Sequence, residues 1–234
     1  MCGRFVRQKE VDEIVSEFGV QEVSCALSPS YNIAPTQEVA VIIEDGVKQL
    51  VAVRWGLVPY WADGLSVGNK LINARAETIT QRSAFKEAFQ KRRCLVVADG
   101  FYEWQKKGSA RQPIFIRLKS GRGFGFAGLY ENWISPEGKN IRTCTIITTQ
   151  PNEIMQPIHD RMPAIIPKDR EGMWLNPNLE DPASLLELLR PYPAAEMETY
   201  QVSTIVNSPA NDTPECLVPS SIAISAEPTL PFMD

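Results

Sequence analysis

The sequence holds little of what metal sites, disulfide frameworks and membrane spans require. It includes a single histidine and five cysteines, an odd number with no CxxC pair. Such usage is typical of reduced thiols and argues against a zinc site. No apolar run approaches the roughly 18 residues of a membrane helix, and polar residues follow the first methionine too soon for a signal peptide. We therefore expect a cytoplasmic protein with no metal, no other cofactor and no membrane partner.

The charge balance is mildly acidic. The formal net charge of the 234-residue chain is −4, which argues against a protein that coats duplex DNA through bulk electrostatics. A local basic groove is compatible with this charge, because phosphate contacts depend on where individual cations lie. Basic residues cluster at three places, which by default are solvated surface: Arg4/Arg7/Lys9, Lys91/Arg92/Arg93 and Lys106/Lys107/Arg111.

Two local patterns predict the first elements of the fold. Apolar residues recur at helical spacing over positions 11–18, and Gly19 is placed to end that helix. Two strand-like runs follow at residues 38–44 and 47–53. The Asp45-Gly46 pair between them predicts a hairpin.

The order of elements predicts one domain of the α+β class. Residues 20–37 have no hydrophobic period and predict a loop. The helices predicted at the start and near the end of the chain do not alternate with the strands, so a doubly wound fold is excluded. We expect a curved, mostly antiparallel sheet or open barrel with peripheral helices over residues 2–226, and a short tail at 227–234. Further strands are predicted at residues 94–98, 101–104, 113–118, 124–129 and 142–148.

Cys2 follows the initiator methionine, which is normally removed when the second residue is as small as cysteine. Removal leaves an α-amine and a thiol on neighbouring carbons. The amine is about half neutral near pH ~7.7–8.0, so it can attack an aldehyde to give an imine. The thiol can then add to the imine and close a five-membered thiazolidine. A lone cysteine here could also be accidental, so this hypothesis depends on the other motifs.

Residues 73–78 (NARAET) form a polar stretch after a segment rich in proline and tryptophan. Asn73 could bind a carbonyl or hydroxyl group, and Arg75 could hold a phosphate through its fork of donors. The alternative is a loop in which Asn73 caps a turn and Arg75 pairs with Glu77. The residues alone favour this structural alternative.

Residues 98–104 (ADGFYEW) predict a strand that carries a carboxylate among aromatic side chains. Alternation places Phe101 and Glu103 on one face, and Tyr102 and Trp104 on the other. Burial of Glu103 would raise its pKa, and a raised carboxyl is what general acid catalysis near neutral pH requires. The alternative is an edge strand whose Glu103 points to water.

Residues 157–163 (PIHDRMP) contain His159, the only histidine. This side chain could move protons near pH 7, with Asp160 and Arg161 orienting it or tuning its charge. The alternative, which the residues alone favour, is a structural hydrogen-bonding role.

Together these stretches resemble the SRAP (SOS-response-associated peptidase) family, and the match runs in order from residue 2 to about residue 207. Agreement of six motifs is far more specific than any one of them and outweighs the structural alternatives. The resemblance implies the SRAP fold and a protein that shields abasic sites in single-stranded DNA. The motifs are MCGRF at the start, YNIAPTQ (31–37), RWGLVP (54–59), NARAET (73–78), ADGFYEW (98–104) and IHDRMP (158–163).

The resemblance implies four catalytic residues. Cys2 would form an imine at C1′ of the open-chain deoxyribose and then a thiazolidine, which joins the protein covalently to DNA. Glu103 would be the acid–base residue that helps to open the sugar ring, and Asn73 would orient the α-amine and the sugar. His159 would move protons at the sugar hydroxyl and assist reversal of the crosslink.

The resemblance also implies five DNA contacts. Arg4 and Arg75 would hold the phosphates beside the lesion, and Thr148 and Thr149 would contact the backbone. Some family members carry paired tryptophans after the WGxxP segment, whereas this chain has only Trp61, preceded by Tyr60. A single tryptophan can still stack on a base, a contact worth roughly 1–3 kcal/mol.

Two other classes of function are consistent with the residues. Cys2, Glu103 and His159 could form an autoprocessing N-terminal nucleophile hydrolase. The chain could instead bind single-stranded DNA without a covalent step. Weak lyase activity on abasic DNA is a corollary of the imine chemistry, because a related imine can undergo β-elimination. One polypeptide suffices for the site, so we expect a monomer.

Overall fold

The computed structural model describes residues 2–220, so the expected tail at 227–234 and the last residues of the expected domain lie outside the described part. The described strands are β1 (Phe5–Arg7), β2 (Glu22–Val23), β3 (Ser30–Ile33), β4 (Glu38–Asp45), β5 (Val47–Trp55), β6 (Asn73–Arg75), β7 (Arg93–Ala98), β8 (Gly100–Lys107), β9 (Ala110–Leu118), β10 (Phe124–Ile134), β11 (Asn140–Thr149), β12 (Met162–Pro163), β13 (Ile165–Ile166) and β14 (Met197–Gln201). The α-helices are α1 (Val11–Phe18), α2 (Lys86–Lys91), α3 (Glu171–Leu175) and α4 (Pro182–Glu187). Short 3₁₀ helices cover Leu65–Lys70, Ala76–Thr78, Lys168–Arg170, Ala194–Glu196, Thr204–Asn207 and Pro214–Leu217.

Five strands close into a barrel. Strand β4 pairs antiparallel with β5 and with β7, and β10 pairs antiparallel with β7 and with β11. A parallel pairing of β5 with β11 closes the ring. The α+β class and the mostly antiparallel sheet are confirmed. The barrel is closed rather than open, because β5 and β11 meet through a long-range pairing that residue patterns do not reveal.

A second, antiparallel sheet packs on the barrel in the order β14-β9-β8-β1-β3. The start of the chain is built into this sheet, because β1 lies between β8 and β3. Phe5 pairs with Phe101 on one side and with Ile33 on the other. The first residues of the chain are therefore fixed by two neighbouring strands.

Alternation along the barrel strands divides the core into two clusters. On β4, Val41 faces the cluster that contains Phe5 of the second sheet. Its neighbour Ile42 faces the cluster that contains Phe18 of α1 and Trp174 of α3. Each fully buried large apolar side chain contributes about 1.5–3 kcal/mol. The barrel is thus covered by the second sheet on one side and by helices on the other.

The predicted first helix is confirmed. The prediction of a loop after it is only partly correct. Helix α1 ends at Gly19, whose φ of 64° is the left-handed conformation that glycine adopts readily. Residues 20–37, expected to be a loop, contain β2 and β3. Strand β3 is short, and its extended shape depends on the neighbouring β1. Pairing of this kind cannot be read from a local hydrophobic period.

The chain between β5 and β6 forms a loop whose two ends cross at a pair of glycines. A Cβ added at Gly68 would lie 2.3 Å from the Gly56 carbonyl oxygen, so only glycine allows this approach. The crossing holds the loop closed at its base. The exposed Tyr60 and Trp61 lie within the loop, and the chain then returns directly to Asn73 in β6.

Candidate active site around Cys2

Cys2 is fully buried in the apolar cluster between the barrel and the second sheet. Burial raises the pKa of its thiol, and the negative charge of the nearby Glu103 raises it further. A hydrogen bond from the backbone N–H of Arg4 opposes these effects only in part. The sulfur is therefore a neutral thiol at neutral pH and not a preformed thiolate.

Glu103 lies on an inner strand of the second sheet, because β8 is flanked by β1 and β9. The residue is only 4% exposed, so the alternative of an edge-strand glutamate in water is wrong. The predicted alternation holds, since Phe101 shares the Cys2 cluster and Tyr102 packs in a different one. Burial raises the pKa of the Glu103 carboxyl, and the nearby His159 partly opposes this shift. A carboxyl of raised pKa is what general acid catalysis near neutral pH requires.

Asn73 reaches the same cluster through the barrel. Strand β6 pairs parallel with β11, which places Asn73 opposite Ile146, a member of the Cys2 cluster. The amide Nδ2 lies 3.4 Å from the Ile146 carbonyl oxygen. The amide Oδ1 is buried and accepts no hydrogen bond from residues 2–220. Asn73 therefore belongs to a strand, and the alternative in which it caps a turn is wrong. Its Oδ1 can accept a hydrogen bond from an ammonium or hydroxyl group.

His159 lies at the end of a turn that packs against the Cys2 cluster through Ile158. Its Nδ1 accepts a hydrogen bond of 3.0 Å from the backbone N–H of Arg161. Its side chain is 27% exposed, so one side of the ring reaches solvent. His159 lies near enough to Glu103 to lower the pKa of that carboxyl, against the effect of burial.

The fold therefore brings all four predicted catalytic residues to one place. The negative charge of Glu103 raises the pKa of the Cys2 thiol, and the nearby His159 lowers the pKa of the Glu103 carboxyl. Asn73 joins through its strand partner in the same apolar cluster. A thiol, a carboxyl of raised pKa and an amide acceptor are thus assembled beside an imidazole. Addition of an amine and a thiol to a carbonyl group calls for groups of these kinds.

An ion pair that the residue patterns did not single out borders the site. The guanidinium of Arg161 donates to both carboxylate oxygens of Glu77, at 2.6 and 2.9 Å. The alternative in which Glu77 pairs with Arg75 is therefore wrong. Both partners lie inside quoted motifs, NARAET and IHDRMP, but nothing in a linear sequence indicates that these two motifs meet.

Two of the predicted DNA contacts are accessible. Arg75 is exposed, and its side chain makes no hydrogen bond or ion pair within the described part of the chain. Trp61 is 53% exposed and its neighbour Tyr60 is 59% exposed, which is unusual for large aromatic side chains. Their contacts with DNA stay predictions, and the structure leaves these side chains accessible for them.

Arg4 is held by the protein itself. Its Nη1 donates to Asn32 Oδ1 at 2.7 Å and to the Val206 carbonyl oxygen at 2.8 Å. The guanidinium also lies over the Trp104 ring, with its carbon 5.6 Å from the ring centroid. Asn32, which sequence reasoning missed, is buried and donates to three carbonyl oxygens between residues 206 and 211. The predicted phosphate contact of Arg4 would have to be made from this anchored position.

Thr148 and Thr149 are the last two residues of β11, the strand that pairs with β6. Both residues are buried, and the Thr148 carbonyl oxygen accepts a 2.6 Å hydrogen bond from Arg161. Their contact with the DNA backbone stays a prediction. In this structure Thr148 supports Arg161 from the barrel side.

Metal and membrane features are absent from residues 2–220. No group of three or more His, Cys, Asp or Glu side chains in that range could hold a metal ion. None of the helices there has the length and apolar character needed to cross a membrane.

Comparison with known proteins identifies the family. The model of the SRAP family, described as SOS response associated peptidase, matches residues 1–209, and the chain belongs to this family. A Bacillus subtilis relative, the abasic site processing protein YoqW, is 48% identical over 221 residues, which are 93% of this chain and 99% of that protein. The abasic site processing protein HMCES of Gallus gallus is 34% identical over 85% of this chain and 68% of its own length. A crystal structure of a protein from Bacteroides thetaiotaomicron superposes with a TM-score of 0.86 at 28% identity, over 94% of this chain and 100% of that one.

Proposed function

We propose that this protein recognises abasic sites in single-stranded DNA and joins itself to them through Cys2. The observation that carries the proposal is the burial of Cys2 beside Glu103, a carboxyl of raised pKa, in a site that also holds Asn73 and His159. The family membership and the names of the relatives support the same substrate.

The reaction begins after removal of Met1, which gives Cys2 a free α-amine. The amine nitrogen attacks C1′ of the ring-opened deoxyribose, and the resulting carbinolamine loses water to form an imine. The thiol sulfur then adds to C1′, and the thiol proton passes to the imine nitrogen. The product is a thiazolidine, and one water molecule is released in total. No oxidant, metal or cofactor is required for this balance.

The surrounding residues supply protons and orientation. Glu103 donates a proton to the departing hydroxyl of the carbinolamine, for which its raised pKa is suited. Asn73 Oδ1 accepts a hydrogen bond from the amine, and His159 moves protons at the sugar hydroxyl. Because these groups belong to one chain, a monomer is sufficient. A minor β-elimination from the imine would appear as weak lyase activity.

Recognition of the strand uses the exposed groups near the site. Trp61 and Tyr60 present aromatic faces on which bases can stack. Arg75 presents an exposed guanidinium two residues after Asn73, where it can hold a phosphate beside the lesion. These contacts place the damaged sugar at Asn73 and Cys2.

The experiment is a denaturing-gel shift with protein whose loss of Met1 has been checked by mass spectrometry. Single-stranded DNA with one abasic site should give a band that survives denaturant, and the same strand without the lesion should not. Cys2→Ala should abolish the band while keeping non-covalent binding. The matched control is Cys144, which is equally buried but internal to the chain: Cys144→Ala should crosslink like the wild-type protein.

Two results would contradict the proposal. One is the absence of a denaturant-resistant band from protein that has lost Met1, which would favour non-covalent binding or a peptidase. The other is undiminished crosslinking by Cys2→Ala. A peptidase would cleave peptide substrates without any requirement for an aldehyde.

A further inference from the structure

One guanidinium joins the segment of His159 to two neighbouring strands. Arg161 lies two residues after His159, and its side chain donates to both oxygens of Glu77 and to the carbonyl oxygen of Thr148. Glu77 follows β6, the strand that carries Asn73, and Thr148 lies on β11, the partner of that strand. Arg161 therefore fixes the His159 turn against the strand pair that presents Asn73.

The same residue determines which ring nitrogen of His159 carries the proton. The backbone N–H of Arg161 donates to Nδ1 at 3.0 Å, so Nδ1 is an acceptor and the neutral ring has its proton on Nε2. The carboxylate of Asp160 lies 2.9 Å from the same Nδ1 and favours the opposite arrangement. Because Asp160 is 87% exposed, water screens its charge. The hydrogen bond from the Arg161 backbone therefore has more influence on the tautomer of His159 than the Asp160 carboxylate has.

The ion pair that holds Arg161 is protected enough to act as an anchor. The side chain of Arg161 is 10% exposed, whereas that of Glu77 is 42% exposed. Two parallel N–H···O bonds between a guanidinium and a carboxylate fix orientation as well as distance. Gln150 donates a further hydrogen bond of 3.2 Å to Glu77. In Glu77→Gln, Arg161 keeps its carbonyl partner but can make at most one of the two parallel bonds that set its angle.

We propose that Glu77 and Arg161 are positioning residues that hold His159 in the Nε2–H tautomer and aim it at Glu103. Among the described residues, the imidazole interacts with the carboxyl groups of Glu103 and Asp160 and with the backbone N–H of Arg161, whose side chain is tied to Glu77. The role in catalysis rests on the proposed function, but the tautomer of His159 does not. A displacement of about 1 Å at a catalytic group can cost about 100-fold in rate, so the anchor has a measurable effect.

The test uses the fact that the chain has a single histidine. In ¹⁵N-labelled protein, the imidazole nitrogens give one set of long-range ¹H–¹⁵N signals, which distinguish the two tautomers. The wild-type protein should show the Nε2–H form, and Glu77→Gln should show a mixture with Nδ1–H. Glu77→Asp, which keeps the charge, should restore much of the wild-type pattern. Asp160→Asn is the matched control and should leave the tautomer unchanged.

Activity supplies an independent second readout. Glu77→Gln should slow crosslink formation or reversal about tenfold and shift the pH profile of the rate, while the non-covalent affinity for the strand stays within about twofold. An unchanged tautomer in a folded Glu77→Gln protein would overturn the inference, as would a tautomer change in Asp160→Asn alone. If no variant crosslinks, including the wild-type protein, the proposed function fails and the tautomer result still decides the positioning role.

Discussion

The substitution Glu103→Gln tests proton donation with little change in the shape of the site. Glutamine has nearly the same shape as glutamate but cannot donate a carboxyl proton. Glu103 is 4% exposed and is the carboxyl that acts electrostatically on Cys2. General acid–base catalysis contributes about 10²–10⁴-fold, which corresponds to about 3–5.5 kcal/mol in the barrier. The crosslinking rate of the variant should fall by that factor.

The pH dependence of stability and of the crosslinking rate provides a second test of the same prediction. Burial raises the pKa of Glu103 in the fold, so the folded state binds this proton more tightly than the unfolded state does. Its ionisation therefore lowers the free energy of unfolding as pH rises from the unfolded pKa through the folded one. The variant lacks this ionisation, so its stability should fall less as pH rises above about 4.3, the ordinary pKa of glutamate. The falling limb of the wild-type rate, where Glu103 loses its proton, should also disappear.

Glu131→Gln is a matched control for these assays. Glu131 is 6% exposed, and burial raises its pKa as it does for Glu103. It lies on β10 and pairs with Arg92 at 2.8 Å, outside the candidate site. This variant should lose some stability because its partner is left with a weakened contact, and it should crosslink at the wild-type rate. Equal rates for wild type and Glu103→Gln, measured on folded protein by quenched denaturing gels, would refute the proton-donor role.

Two further predictions concern binding and stability. Trp61→Ala should weaken non-covalent binding by about 1–3 kcal/mol, or about 5- to 150-fold. Fluorescence anisotropy with labelled single strands tests this, and Leu186→Ala, at an exposed residue of helix α4, should bind normally. Gly68→Ala should lower the free energy of unfolding by about 1–3 kcal/mol, because the added Cβ would press on Gly56. In Gly64→Ala the added Cβ has open space around it, so denaturant titrations should show an unchanged free energy of unfolding. An equal loss of stability in the two variants would contradict the steric explanation.

Local sequence patterns predict the elements whose cause is local. The spacing over positions 11–18 defines α1 because one face of that helix meets the core, and Gly19 ends it by its backbone conformation. The Asp45-Gly46 pair marks the turn between β4 and β5, which pair along their whole length. The alternation of Phe101 and Tyr102 between two clusters follows from the period of a strand.

The pairings that build the site are not local, and the patterns missed them. Strand β6 is three residues long and is defined by its parallel partner β11. The Glu77–Arg161 pair joins residues 84 positions apart. The six-motif resemblance still named four residues that the fold brings together, because it carries information about the whole fold that no single spacing contains. It did not indicate that Arg4 would be anchored by Asn32, and only the structure shows this contact.

Burial determines the order of the proposed reaction. The same desolvation that makes the Cys2 thiol hard to ionise leaves it a poor first nucleophile, because thiolate is the reactive form. The α-amine has no such requirement, since about half of it is neutral near pH ~8. The amine must therefore attack first, and the thiol adds once an imine beside it can take up its proton. Cys2→Ser keeps the α-amine and should accordingly stop at an imine that borohydride traps; a Cys2→Ser protein that gives no borohydride-trapped product would contradict attack by the amine.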